Sequence, residues 1–215
     1  MQLADDESSR RERLLWKIGE AALAGVDYIQ LRERDLTIRE LERLAAEAVG
    51  VVREAQSRTR LLINSRIDVA LAAKADGVHL RSNDITASEA RAIWAKPAKS
   101  TDAIIAVSCH SSIEVLSAEA HGADLVVFGP VFGKQGSSEP PVGVATLTQV
   151  VARGGPVDHK VEAGQSLHMP VFALGGVTAE NATACAKAGA TGVAAIRLFQ
   201  DGDLASTVAL LRKLF

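Results

Sequence analysis

Two glycines in a row, Gly175-Gly176, follow an apolar run and precede a helical pattern. Backbone N–H groups approach an anion closely where no Cβ intervenes, and a following helix start favours negative charge. A second candidate contact, Ile196-Arg197, closes the next apolar run, so the two places together read as a phosphate site. His110, flanked by Cys109 and Ser111 after another apolar run, is placed for proton transfer near neutral pH. Cys109 alternates to the other side and reads as packing. Arg32 and Arg34 share a parity and so can clamp an anion from one side of an extended segment. Asn64 can hydrogen-bond an amide or ring nitrogen, whereas its neighbour Ser65 reads as a helix cap. Asp84 is either a hard-metal ligand or a cap for the helix beginning near Thr86. Lys134 sits in a Gly- and Ser-rich stretch, 129–138, that reads as a mobile lid able to meet a phosphate. His79, inside an apolar run, reads as a core residue.

The elements that must position these groups alternate regularly. Short apolar runs with little polar alternation occur at Val26–Leu31, Leu61–Ile63, Gly77–Leu80, Ala103–Val107, Leu125–Phe128, Pro170–Leu174 and Gly192–Ile196. Such runs predict parallel strands buried on both faces. Between them lie helical patterns, of which Thr37–Gln56 is the clearest, with Leu41, Leu44, Ala45, Ala48, Val49 and Val52 forming one apolar stripe. A junction recurs four times: Gly or Ala, then Asp or Thr, then a strand, at Asp27, Asp76, Asp124 and Thr191. Glycine there supplies a left-handed helix end and a tight turn. This repetition predicts one α/β domain over residues 1–215, a (β/α)₈ barrel, with catalytic groups at the C-terminal ends of its strands. Seven strands are convincing; the first is short or missing, since only Met1–Ala4 precedes a charged segment. An open doubly wound sheet is the alternative. Residues 153–168 lack any period and read as a loop insertion.

Composition narrows the partners. The net charge of -2 supplies no basic field for nucleic acid or an anionic membrane. Hydrophobic residues make up 47% but aromatics only 4%, so the core is predicted to be aliphatic. Two cysteines cannot build a disulfide framework, and no signal-like or membrane-length apolar stretch occurs, which points to the cytoplasm.

The order of the motifs YIQLRERD, LLINSRIDVALAAKADGVHL, AVSCHS, ADLVVFGPVF and PVFALGGVTAENATACAKAGATGVAAI resembles the thiamine-phosphate synthase/TenI family over about Leu23 to Phe199. That resemblance implies a barrel, a homodimer, and small phosphorylated thiazole substrates, with a phosphorylated pyrimidine in the synthase branch. The synthase joins hydroxymethylpyrimidine pyrophosphate to thiazole phosphate with Mg²⁺; the TenI branch moves a proton to aromatise a thiazole. Gln30, Arg32, Arg34, Asn64, Asp84 and Ser108 resemble the synthase's pyrimidine and pyrophosphate contacts. Three departures stand out: Ser65 replaces a metal-binding aspartate, Gly133-Lys134-Gln135-Gly136 replaces the Thr-x-Thr-Lys loop, and Arg197 replaces a serine. Loss of a carboxylate at Ser65 weakens the implied Mg²⁺ site. Cys109-His110-Ser111 resembles the TenI pattern. The sequence therefore favours a thiazole tautomerase using His110, with the synthase as alternative and a non-catalytic phosphate-ligand regulator as a third reading.

Overall fold

The structure, a computed structural model, describes residues 7–98, 102–133, 140–152 and 169–215. The expected first strand at Met1–Ala4, the 153–168 insertion and Lys134 lie outside the described residues. The described residues of Met1–His79 and Ile93–Ala103 form one compact unit, and those of Leu80–Ala92 and Ile104–Phe215 another.

The first unit contains α1 (Glu7–Leu23), β1 (Tyr28–Leu31), α2 (Ile38–Glu54), β2 (Arg60–Asn64), α3 (Ile67–Ala73) and β3 (Gly77–Leu80). β1 pairs in parallel with β2, and β2 with β3, so chain order is sheet order. α2 begins at a capping box: Thr37 Oγ1 accepts the Glu40 N–H at 3.3 Å, and the Thr37 N–H donates to Glu40 Oε2 at 2.8 Å. Its predicted stripe, Leu41 to Val52, is buried at all six positions. Each Leu or Val so buried contributes roughly 1.5–3 kcal/mol.

The second unit begins at Leu80, the last residue of β3, and takes in the start of α4 (Ala87–Ala98) as far as Ala92. It continues through β4 (Ile104–Cys109), α5 (Ser112–Ala120), β5 (Leu125–Phe128), α6 (Gly143–Ala152), β6 (Val171–Leu174), α7 (Ala182–Lys187), β7 (Gly192–Ala194), α8 (Arg197–Gln200) and α9 (Leu204–Leu211). β4, β5, β6 and β7 pair in parallel in that order. All seven predicted strands are present, within two residues of their expected ends. α8 was not foreseen: the last apolar run stops at Ala194 instead of reaching Ile196, and a short helix follows.

The recurring junction does more than turn the chain. Asp76 Oδ2 accepts the Leu61 N–H at 2.8 Å, while the Asp76 N–H donates to the Leu61 carbonyl at 3.0 Å. Asp124 does the same to Ile105, at 2.7 and 2.9 Å, and Thr191 to Val171, at 3.2 and 2.8 Å. Each side chain thus satisfies an N–H at the start of the neighbouring parallel strand, a donor that needs a partner once buried. At Asp27 the carbonyl accepts the Arg60 N–H at 2.9 Å, joining β1 to the start of β2. Arg91 braces Asp124 from outside at 2.8 Å. Replacing Asp124 with Ala strands the Ile105 N–H and removes Arg91's carboxylate, and should cost about 1–3 kcal/mol in urea denaturation. Asp124→Asn, which keeps an acceptor oxygen, should cost less.

Candidate functional site

In the first unit polar groups gather at the C-terminal ends of β1 and β2. Gln30 Nε2 donates to Asn64 Oδ1 at 2.9 Å, and Asn64 Nδ2 donates to Ser65 Oγ at 3.3 Å. Parallel pairing sets this up, because Gln30 lies opposite Leu62 and Asn64 is two residues further along the same strand. The relay leaves Gln30 Oε1 as an acceptor and retains amide N–H groups as donors. A heterocycle with adjacent ring nitrogen and amino group matches that pattern.

Ser65 does not cap α3. Its backbone sits in the left-handed region at φ 56°, and the residue before α3 is Arg66, which makes no side-chain cap. The Ser65 N–H donates to the carbonyl of His79 at 2.9 Å, tying the turn to β3. The left-handed region disfavours most residues with a Cβ, so this turn is held by its neighbours. Arg32 and Arg34 are both exposed, but β1 ends at Leu31, so strand parity does not place them together.

His79 is buried inside β3, and burial holds its imidazole down at about 4, well below the usual 6.5. It is the core histidine the sequence indicated.

In the second unit, Asp84 closes a turn after β3. Its Oδ2 accepts the Arg81 N–H at 2.9 Å, its Oδ1 lies 3.1 Å from the Arg81 guanidinium, and its own N–H donates to the Arg81 carbonyl at 3.1 Å. The cap of α4 is instead Thr86, whose N–H and hydroxyl donate to Glu89 Oε2 at 2.8 and 2.7 Å. The cap reading of Asp84 is therefore corrected. Among the described residues no group of three His, Cys, Asp or Glu is placed to hold a metal ion.

Ser108 is half-buried inside β4, one residue before the buried Cys109. Burial, with Glu114 nearby, pushes the Cys109 thiol up to about 12, so it stays protonated and packs rather than attacks. His110 follows, exposed, with Nδ1 3.2 Å from Glu114 Oε2; that same oxygen accepts the His110 backbone N–H at 2.5 Å. Ser111 caps α5 by accepting the Glu114 N–H at 3.3 Å, as its position suggested. Sequence reading missed Glu114, although Ser111-x-x-Glu114 is a capping-box spacing that marks it.

Gly175 and Gly176 both adopt positive φ, 96° and 62°. Their first role is packing. A Cβ on Gly175 would lie 2.6 Å from Pro130 Cα, and one on Gly176 would lie 2.7 Å from the Gly133 carbonyl oxygen. The segment after β5 lies along this bend, with Val131 N–H donating to the Leu174 carbonyl at 2.7 Å and Phe132 N–H to the Gly175 carbonyl at 2.9 Å. Asn181 Nδ2 fixes the far side through the Gly176 carbonyl at 2.9 Å. These bonds use carbonyls, so the N–H groups of Gly176 and Val177 meet no acceptor among the described residues. Ile196 is the residue before α8 and Arg197 its first residue, where the Arg197 and Leu198 N–H groups likewise meet none. The two residues expected to close a strand thus stand at a helix start.

Parallel strands in chain order, each followed by a helix, define an α/β protein of the repeated βα type. The sequence profile of the thiamine monophosphate synthase family matches residues 2–199, and the chain belongs to that enzyme family. It is 35% identical to the thiamine-phosphate synthase of Methanoculleus marisnigri, over 89% of this chain and 83% of that one. It is 34% identical to the thiamine-phosphate synthase of Roseiflexus castenholzii, over 89% and 76%. The solved thiamine phosphate pyrophosphorylase of Pyrococcus furiosus superposes with a TM-score of 0.74 and 28% identity, over 95% of this chain and 90% of that one. No helix among the described residues is long and apolar enough to cross a membrane.

Two consequences are open to measurement. Gly175→Ala meets Pro130 and a positive φ together, and should cost about 2–4 kcal/mol in urea unfolding. His79 has a folded pKa below its unfolded value, so its neutral form favours folding. Its contribution is intact above pH 6.5 and falls as pH drops towards about 4, by up to about 3 kcal/mol. Stability measured across that window should flatten in His79→Leu.

Proposed function

We propose that the chain is a thiamine-phosphate synthase, joining hydroxymethylpyrimidine pyrophosphate to thiazole phosphate with release of pyrophosphate. The observation that carries this reading is the Gln30–Asn64 amide pair at 2.9 Å, a ready partner for an aminopyrimidine that a tautomerase would not need. The family's synthases support it, and they favour the transferase over the isomerase suggested by Cys109-His110-Ser111. A purely regulatory role gives way to membership of an enzyme family. In the first unit, Gln30 and Asn64 take the pyrimidine, and Arg32 and Arg34 meet its pyrophosphate. In the second, the N–H groups of Gly176, Val177, Arg197 and Leu198 take the thiazole phosphate, Ser108 adds a polar contact, and Lys134 supplies a further positive charge for an anionic substrate. The family resemblance brings with it the full barrel, the homodimer and a cytoplasmic setting.

The Mg²⁺ implied by the resemblance fits this chain poorly. Asp84 already has Arg81 at 3.1 Å, and Ser65 offers a hydroxyl where the family motif has a carboxylate. Charge relief for the departing pyrophosphate therefore rests on the arginines.

Incubation with both precursors should yield thiamine phosphate and pyrophosphate; no product above background would overturn the synthase. Gln30→Ala and Asn64→Ala should each raise the KM for the pyrimidine about tenfold, the equivalent of one or two hydrogen bonds, and leave the thiazole KM nearly unchanged. The second reading, thiazole tautomerase, is favoured by the His110–Glu114 contact. It requires aromatisation activity that His110→Ala abolishes without loss of thiazole phosphate binding.

A further inference from the structure

We infer that Glu114 is the positioning residue of His110, fixing its imidazole as the Nδ1–H tautomer and leaving Nε2 as a hydrogen-bond acceptor. One carboxylate oxygen, Oε2, lies 2.5 Å from the His110 backbone nitrogen and 3.2 Å from its Nδ1. A carboxylate accepts only, so a neutral imidazole beside it places its proton on Nδ1. The backbone bond matters as much as the ring contact. It fixes the carboxylate relative to the residue it orients, and the Glu114 N–H is itself held by Ser111 Oγ at 3.3 Å.

The arrangement departs from an ordinary capping box. The acid at N3 usually returns to the N–H of the cap residue; here it reaches one residue further back. Both oxygen contacts then go to the same histidine. The consequence is chemical: whatever group of the substrate meets His110 must offer a proton or a hydrogen-bond donor to Nε2. When Nε2 takes that proton, the imidazolium keeps its Nδ1–H on the Glu114 carboxylate, which stabilises the new charge. Returning the proton from Nε2 restores the starting state, so a proton shift needs no other donor.

This inference rests on His110 meeting substrate, as in the tautomerase reading, but the tautomer itself can be read without substrate. Nitrogen-15 NMR of the imidazole in the full-length protein should show the Nδ1–H pattern at a pH where the ring is neutral. Glu114→Gln keeps an oxygen for the His110 backbone N–H and hence the start of α5. It should therefore keep the ring Nδ1–H with the melting temperature near the wild type, whereas Glu114→Ala, which removes the acceptor, should shift the ring towards Nε2–H. An Nε2–H ring in the wild type, or an unchanged Nδ1–H ring in Glu114→Ala, would overturn the proposal. Where an activity is found, Glu114→Gln should lower kcat about tenfold with KM held. A correct tautomer with neither reaction detected overturns the functional readings and leaves the role of Glu114 standing.

Discussion

Parallel strands cannot satisfy their own first N–H groups, and this chain answers with a side chain from the next junction. Asp76, Asp124 and Thr191 each bond both ways to the neighbouring strand, to Leu61, Ile105 and Val171. The bond sets where one strand starts relative to the next. Because strand lengths are short, three to six residues, setting the starts also sets the ends. Gln30 and Asn64 come within 2.9 Å through the register of β1 against β2, a register that begins with the Asp27 carbonyl on the Arg60 N–H. Polar residues at one end of the strands therefore maintain the geometry of functional groups at the other.

The same economy appears in the Gly175-Gly176 bend. A glycine pair can be read as room for a ligand or as room for the protein's own backbone. Here the close approach of Pro130 and Gly133 accounts for both glycines with no ligand required. That packing nonetheless turns carbonyls towards the segment after β5 and leaves the N–H groups of Gly176 and Val177 without acceptors among the described residues. Substituting either glycine would therefore confound folding with binding. Removing the anion from the assay, or altering Arg197, tests the phosphate reading more cleanly.

Much of the architecture was legible because it depends on patterns that survive in one dimension. The α2 stripe, Leu41 to Val52, follows the helical period, and the apolar runs follow from burial on both strand faces. The family too was legible in the order of its motifs. What failed depended on where an element stops. The parity of Arg32 and Arg34 means something only on a strand that continues, and β1 ends at Leu31. Ile196-Arg197 was read as a strand end because the composition Val-Ala-Ala-Ile does not distinguish a strand from a short helix start. Ser65 and Asp84 both sit where cap residues sit. Only three-dimensional bonds reveal that Ser65 adopts a left-handed turn and that Thr86 caps α4 in place of Asp84.

The Ser65 turn links the two kinds of constraint. An aspartate is at home in the left-handed region, where its short side chain bonds locally, and serine does so more weakly. Placing serine there gives up a carboxylate but keeps a small polar residue able to accept from Asn64. The backbone demand of the turn, fixed by the Ser65 N–H on the His79 carbonyl, persists whatever the side chain. The backbone shape of this turn is thus held by main-chain bonding that does not depend on the charge of its side chain. The motif therefore carries the shape of the turn in its backbone, which is why a motif alone resolved the family more readily than the reaction.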